Sequence, residues 1–150
     1  MGIQKTLVVI KPDAVKRRLV GQIINRFEEK GFQLLELRLY LFSKEMAEAF
    51  YDVHRERDFF RELVSFISSG KTVACILEGN NAIDVVRAMI GQTRAYEASP
   101  GTIRGDFGLG LTDNIIHASD TNENFVKESK VIFDFLPYIQ MRQTQTSSVR

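Results

Sequence analysis

The run Thr6-Leu7-Val8-Val9-Ile10 is an unbroken stretch of β-branched and aliphatic residues that stops at Lys11-Pro12-Asp13. A strand with one wet face alternates apolar and polar residues, whereas a continuous run requires cover on both faces. The chain is therefore expected to build a layered sheet with this segment inside it, ended by the proline. The next segments extend that plan. Val20, Ile23, Ile24 and Phe27 recur at i, i+3, i+4 and i+7 with Gly31 beyond them, which predicts an amphipathic helix over 20–30. Leu35, Leu37, Leu39 and Leu41 alternate with Glu36, Arg38 and Tyr40, the period of a strand with one buried face.

Ser43 is placed to cap a helix through Met46, Phe50 and Tyr51, and a second helical pattern runs through Phe60, Leu63, Val64 and Ile67. Thr72 to Leu77 reads as a third strand, and Ile83, Val86 and Ile90 mark a helix closed by Gly91. Thr93 to Asp113 has no sustained period and reads as an extended loop, of a length that is usually functional or disordered. Asn114 to His117 is a short fourth strand, and Asp120 with Glu123 resembles a capping box for a helix to about Lys130. This order fits an α+β fold, a ferredoxin-like split β-α-β sandwich with a four-stranded antiparallel sheet and helices packed on it. One domain is expected over 1–139, followed by a polar C-terminal tail over 140–150.

Composition narrows the function classes. A chain of 150 residues with 44% hydrophobic and 26% charged residues is of the size and make-up of one soluble domain. Twenty basic and 19 acidic residues leave a net charge of +1, which argues against an obligate nucleic-acid binder but permits a few cations placed for a small anionic ligand. Cys75 is the single cysteine and lies in an apolar run, so a buried inert thiol is expected and no disulfide framework. The first residues lack a secretory core, and no apolar stretch approaches membrane-spanning length; a reducing, cytoplasmic location is expected.

Three features stand out of place. Arg87 falls near the apolar stripe of its helix, where it needs either an internal carboxylate or a phosphate ligand. Ser99 to Phe107 combines Gly101 and Gly105 with Arg104, a set that suits polyphosphate oxygens, although it lacks the Lys-Ser/Thr pair of a P-loop. Of the two histidines, His54 sits in a charged run that favours a solvated ring. His117 ends an apolar run and is either a satisfied core histidine or a ring projecting from a strand end into a cleft. Two histidines so far apart make a histidine metal site improbable.

From about Lys5 to Phe135 the chain resembles the nucleoside diphosphate kinases. The resemblance is carried by Val9-Ile10-Lys11-Pro12-Asp13-Ala14-Val15, by Ser99 to Phe107, and by Asn114-Ile115-Ile116-His117-Ala118-Ser119-Asp120, in order and in register. It implies a phosphotransferase that moves the terminal phosphoryl of a nucleoside triphosphate, typically ATP, to a nucleoside diphosphate by a ping-pong route. The phosphorylated nucleophile would be His117, with Glu128 orienting its other ring nitrogen and Ser119 supporting that pair. Arg87, Arg104 and Thr93 would contact phosphates, and Lys11 and Asn114 the ribose hydroxyls, with Lys11 also near the transferred group. Tyr51 belongs to the catalytic region and Arg57 to the nearby helical hairpin. Phe59 and Leu111 would hold the two faces of the base. Mg²⁺ would ride on the nucleotide phosphates with no direct protein ligand, Asp120 touching it through water at most. A homo-oligomer is implied, with a hexamer favoured over a tetramer or dimer.

The sequence also departs from the family pattern. Val53 stands where an acidic residue is usual, Asp58 and Ala95 where prolines are, Arg94 where an asparagine is, and Ala118 where a glycine is. Val53 is the feature that favours a nucleotide-binding module without efficient catalysis. Arg94 and Ala95 bear on the loop used in subunit contact. A nucleic-acid-binding split β-α-β domain is the third reading, opposed by the near-neutral charge and the lack of an exposed aromatic sheet motif.

Overall fold

The computed structural model describes residues 2–133. Strand β1 (Ile3–Ile10) leads into a short helix α1 (Pro12–Lys16), then α2 (Val20–Lys30) and β2 (Gln33–Leu41). Two helices, α3 (Lys44–Phe50) and α4 (Phe60–Ile67), precede β3 (Lys71–Asn80) and α5 (Ala82–Ile90). A short helix α6 (Ile103–Phe107) and strand β4 (Ile116–Ala118) follow, and a final helix, α7, runs over 122–133. The expected boundary at 139 and the polar tail over 140–150 lie outside the described residues.

The four strands form one sheet in the order β2-β3-β1-β4, every neighbouring pair antiparallel. This is the ferredoxin-like arrangement expected from the element order. β1 is central, as its unbroken apolar run requires: Leu7, Val8, Val9 and Ile10 are all fully buried. Their alternation divides them between two cores. Val8 and Ile10 pack with Ile23 and Phe27 of α2 and Val86 and Ile90 of α5; Leu7 and Val9 pack with Met46 and Phe50 of α3, Val64 and Ile67 of α4, and Ile132 of α7.

Local signals account for two of the helix ends expected from the sequence. Ser43 accepts a hydrogen bond from the Met46 N–H at 3.1 Å, capping α3. Gly31 closes α2 at φ 114°, a left-handed angle that glycine adopts without strain. Cys75 is buried, and that burial pushes its thiol up to about 12, an inert state.

Three expectations need correction. The leucines of β2 face outward: Leu35, Leu37, Leu39 and Leu41 are 39, 47, 58 and 55% exposed, while Tyr40 on the opposite face is buried. Alternation groups residues by face but does not say which face meets a helix, and β2 is an edge strand with a bulge between Leu34 and Glu36. The stretch 93–113 is not one extended loop, because it contains α6 and a single 3₁₀ turn at Ala95–Glu97. Finally, α7 begins one residue later than the Asp120–Glu123 box implies. Thr121 accepts from the Asn124 N–H at 3.0 Å, and the Glu123 carboxylate is turned to Lys127 at 3.5 Å.

Candidate active site

β4 is only three residues long, yet its pairing with β1 sets Val9 opposite His117 and Ile10 opposite Ile116 at the end of the sheet, where β1 turns into α1. The histidine ring leaves the strand edge and meets Phe50 of α3 edge-on, with 4.9 Å between ring centroids. Its side chain is 21% exposed, so it is neither a fully buried core histidine nor a solvated one. The Nε2–H donates to Glu128 Oε1 at 2.9 Å, and the Ser119 hydroxyl donates to the same oxygen at 2.6 Å. That bond holds the neutral ring in the Nε2–H tautomer and leaves the Nδ1 lone pair available as a nucleophile.

The approach to His117 is shaped by a strained corner. Ile115 has φ 80°, unusual for a β-branched side chain and worth on the order of 1–3 kcal/mol of backbone strain. The Ile116 N–H closes back on the Asn114 carbonyl at 2.9 Å, so the chain makes a tight γ-turn at this point. The turn sets Asn114, which is buried, between two partners. Its Oδ1 accepts from Lys11 Nζ at 2.7 Å and its Nδ2 donates to the Thr93 carbonyl at 2.7 Å.

Arg104 is also buried and donates to three backbone carbonyls: Asn114 through Nε at 3.1 Å, Gly91 through Nη1 at 3.0 Å and Ile116 through Nη2 at 2.6 Å. It is delivered by α6, whose start is capped by Thr102 accepting from the Gly105 N–H at 3.0 Å. The glycines of this segment serve its own folding. Gly101 turns at φ 99°, and a Cβ on Gly105 would lie 2.0 Å from the Ser99 carbonyl oxygen. Arg87 donates from Nη1 to the Ala118 carbonyl at 3.2 Å and makes no ion pair among the described residues. Of the two readings for Arg87, the internal carboxylate is thus not found there. Burial, and then the neighbouring Arg87, hold the Arg104 guanidinium down to about 10.

These groups share one cleft of about 430 Å³. Its wall carries Lys11, Arg87, Thr93, Arg104, Asn114 and His117, together with Tyr51, Glu128 and Asp120, and also the apolar Phe59, Leu63 and Leu111. Phe59 and Leu111 are 44 and 52% exposed, apolar surface suited to a flat ring. Burial is the main reason Lys11 falls from its ordinary 10.5 to about 7, with Arg104 pulling the same way and Asp13 and Asp113 opposing. Tyr51 is pushed up by burial and then by the Glu128 carboxylate, so it stays a neutral hydroxyl.

Two expected site residues lie off this wall. Ser119 is fully buried behind it and donates to Glu128, while Arg57 is exposed and does not line the cleft. His54, which the charged run around it suggested was solvated, is half-buried in the wall, its ring 5.4 Å from Phe59 and 6.4 Å from Tyr51. The spacing Tyr51, His54 carries the signal that the surrounding charges obscure. Glu62, Leu63 and Thr112 also line the cleft, and the Thr112 hydroxyl donates to Glu62 at 2.9 Å across its mouth. Nothing local relates residues fifty positions apart.

The departures from pattern are accommodated variously. Ala118 is an ordinary strand residue of β4, outside the positive-φ set, so alanine fits. Arg94 approaches Glu97 at 3.9 Å and is not in the cleft wall, and Ala95 is buried. Val53 stands at the cleft rim, 64% exposed. Nothing in the structure explains Asp58.

No cluster of three or more His, Cys, Asp or Glu suited to a metal ion occurs among the described residues. Of the three carboxylates lining the cleft, Glu62 accepts from Thr112 and Glu128 is engaged with His117 and Ser119. The third, Asp120, accepts from Asn124 through Oδ1 at 2.7 Å, and this hydrogen bond is the main reason its carboxyl lies below the usual range. With Glu62 and Glu128 already hydrogen-bonded elsewhere, this one remaining carboxylate fits a divalent ion brought in on polyphosphate oxygens better than one held by the protein alone.

Known proteins share this sequence and fold. The sequence profile of the nucleoside diphosphate kinase family matches residues 4–136. A nucleoside diphosphate kinase of Hyperthermus butylicus is 53% identical over 133 residues, covering 89% of this chain and 94% of the relative. One of Methanocaldococcus jannaschii is 50% identical over 130 residues, covering 87% and 93%. Among solved structures, the Aquifex aeolicus nucleoside diphosphate kinase superposes with a TM-score of 0.86 at 44% identity, covering 90% of this chain and 98% of that one. The Halobacterium salinarum enzyme, solved in complex with CDP, gives 0.85 at 40% identity and covers 89% of each chain. The chain therefore belongs to the nucleoside diphosphate kinase family.

Proposed function

We propose that this kinase exchanges phosphoryl groups between nucleotides through a covalent phosphate on His117 Nδ1. The supporting observation is the Nε2–H bond to Glu128, which directs the free lone pair away from the protein's own carboxylate. In the first half-reaction the Nδ1 lone pair forms a bond to the terminal phosphorus of a nucleoside triphosphate. The bond from that phosphorus to the bridging oxygen breaks, and the diphosphate leaves with the electron pair. The ring keeps its Nε2 proton and gains positive charge, which the Glu128 carboxylate balances. In the second half-reaction a terminal oxygen of another nucleoside diphosphate attacks the phosphorus, and the N–P electron pair returns to Nδ1.

The remaining side chains position and neutralise, which is most of what phosphoryl transfer asks of a protein. Arg87, Arg104 and Thr93 serve the phosphates, Lys11 and Asn114 the ribose hydroxyls, and Lys11 also the moving group. Mg²⁺ carried on the phosphates would supply further charge neutralisation, and Asp120 would be the residue to contact it, through water at most. Phe59 and Leu111 grip the base by its faces, which every base presents, so low base selectivity is expected.

The decisive experiment treats the protein with γ-labelled ATP and Mg²⁺. Acid-labile, base-stable label should appear on the protein and be chased by GDP; absence of label would instead support a binding module without turnover. Val53 is the feature favouring that alternative, but the His117–Glu128–Ser119 set is closed by hydrogen bonds without a carboxylate at position 53.

Lys11 gives a pH prediction. With its ammonium near 7 in the empty cleft, most Lys11 is neutral at pH 8 and above, whereas a bound polyphosphate favours the cation. Binding then takes up a proton, so affinity falls as pH rises between about 7 and 10.5, by up to about tenfold per unit. Titrations with a non-hydrolysable ATP analogue from pH 8 to 9.5, above the phosphate's own titration, should show this slope in the wild type. Lys11→Arg, which stays charged, should flatten it. An equal slope in both proteins would remove Lys11 from the phosphate site.

A homo-oligomer, with a hexamer favoured, is part of the same proposal. The outward row Leu35, Leu37, Leu39 and Leu41 lies on an edge strand, a surface that isolated proteins usually blunt with charge. Sedimentation should show an assembly, and Leu37→Glu with Leu39→Glu should shift it toward smaller species; an unchanged mass would place the contact elsewhere. A cytoplasmic setting is proposed as well, supported by a sequence whose single cysteine leaves no disulfide framework within the chain.

A further inference from the structure

Asp13 is a half-buried carboxylate at the start of α1, outside the set of groups given a role so far. Its Oδ2 accepts from the Ile115 N–H at 3.1 Å, a contact between residues 102 positions apart. Its Oδ1 is buried and has no hydrogen-bond partner among the described residues. The same corner grips the other side of Ile115, since the Lys11 N–H donates to the Ile115 carbonyl at 2.9 Å. Both polar groups of the one residue in this segment with a positive φ are therefore held by Lys11-Pro12-Asp13. A β-branched residue leaves that region of backbone space unless its surroundings hold it there.

We infer that Asp13 is a positioning residue: its carboxylate holds the Ile115 γ-turn, and the turn sets Asn114 against the nucleotide ribose and His117 against the transferred phosphorus. The geometry gives it this role in preference to one in packing alone. Its bond falls on the residue between Asn114 and Ile116, both of whose carbonyls are also gripped by Arg104. Releasing the Ile115 N–H allows the peptide units on either side to rotate, and Asn114 loses its alignment with Lys11 Nζ and the Thr93 carbonyl. An asparagine at position 13 keeps an oxygen in place to accept the bond, whereas alanine removes it.

The inference rests on the proposed roles of His117 and Asn114, and the test separates it from them. Catalytic efficiency is measured with ATP and with 2′,3′-dideoxy-ATP as donors, together with the single-turnover rate of His117 phosphorylation at saturating ATP. Asp13→Ala should lower the ATP preference by about tenfold and slow phosphorylation by about 10–100-fold. Asp13→Asn should remain within about threefold of wild type in both. Asp13→Ser, whose hydroxyl does not reach Ile115, carries the expectation of the alanine variant should that variant fail to fold. A merely structural role would cut both donors equally and leave their ratio unchanged.

Asn114→Ala is the control. If it abolishes the preference while Asp13→Ala keeps both the preference and the phosphorylation rate, the inference is overturned. If Asn114→Ala leaves the preference intact, the ribose reading of Asn114 is wrong. The phosphorylation rate of Asp13→Ala against Asp13→Asn then decides alone, equal rates overturning the inference.

Discussion

His117→Ala should lose at least ~10⁴-fold of its nucleoside triphosphate–diphosphate exchange and all acid-labile label, while still binding ADP. Alanine removes the imidazole lone pair assigned to phosphorus, while Lys11, another nitrogen in the cleft with a lone pair at neutral pH, is tied to Asn114 Oδ1 and takes on charge when polyphosphate binds. His54 is the one other histidine, and its ring packs between Tyr51 and Phe59. Folding should be little affected, because the ring is partly exposed and Glu128 keeps its bond from Ser119. The companion variant Glu128→Gln isolates the tautomer argument. An amide can turn either its oxygen or its N–H₂ to Nε2, so part of the ring population shifts its proton to Nδ1 and loses the nucleophile. A drop of roughly 10–100-fold, comparable to losing other ligand-orienting partners, is expected in the rate of label uptake. Retention of full exchange by His117→Ala would transfer the chemistry to another residue and overturn the proposed mechanism.

How far the site could be read from the sequence follows from the range of the interactions that build it. β1, α2 and α5 were legible because burial on both faces, or on one stripe, is written into consecutive residues. The caps at Ser43 and Gly31 were legible for the same reason. The outward leucines of β2 were not, since the period of a strand assigns faces without naming their neighbours. Local grounds leave His117 undecided, and the resemblance points to it as nucleophile with Glu128 on its other nitrogen; the structure adds that this nitrogen is Nε2, at 2.9 Å. Asp13 lies within a motif that assigns it no function of its own. Its bond to Ile115 spans most of the chain, and a positive φ at isoleucine runs against local preference, so no window of sequence displays it. The helix α6 was hidden in a glycine-rich stretch whose glycines fold the segment itself and so deliver Arg104.

Arg104 and Arg87 were assigned the same task, but the structure separates them, and the second large effect is expected at Arg104. Arg104→Met should destabilise the fold by about 3–5 kcal/mol, because three backbone carbonyls in a buried setting lose their donor at once. In a chain of this length that corresponds to a fall in Tm of roughly 10 °C or more. Exchange activity at a temperature where the variant is folded should also fall by about 10²-fold or more, since the Asn114 and Ile116 carbonyls bracket the turn that carries the site. Arg87→Met presents the opposite balance. Its guanidinium gives one bond to the Ala118 carbonyl, so about 1 kcal/mol of stability is at stake while a phosphate cation is removed. Thermal melts paired with label uptake distinguish the two. Arg104→Met should lose on both axes and Arg87→Met mainly on activity. If both variants melt alike, Arg104 is not the brace of the Asn114–Ile116 turn, and the division of labour between the two arginines fails.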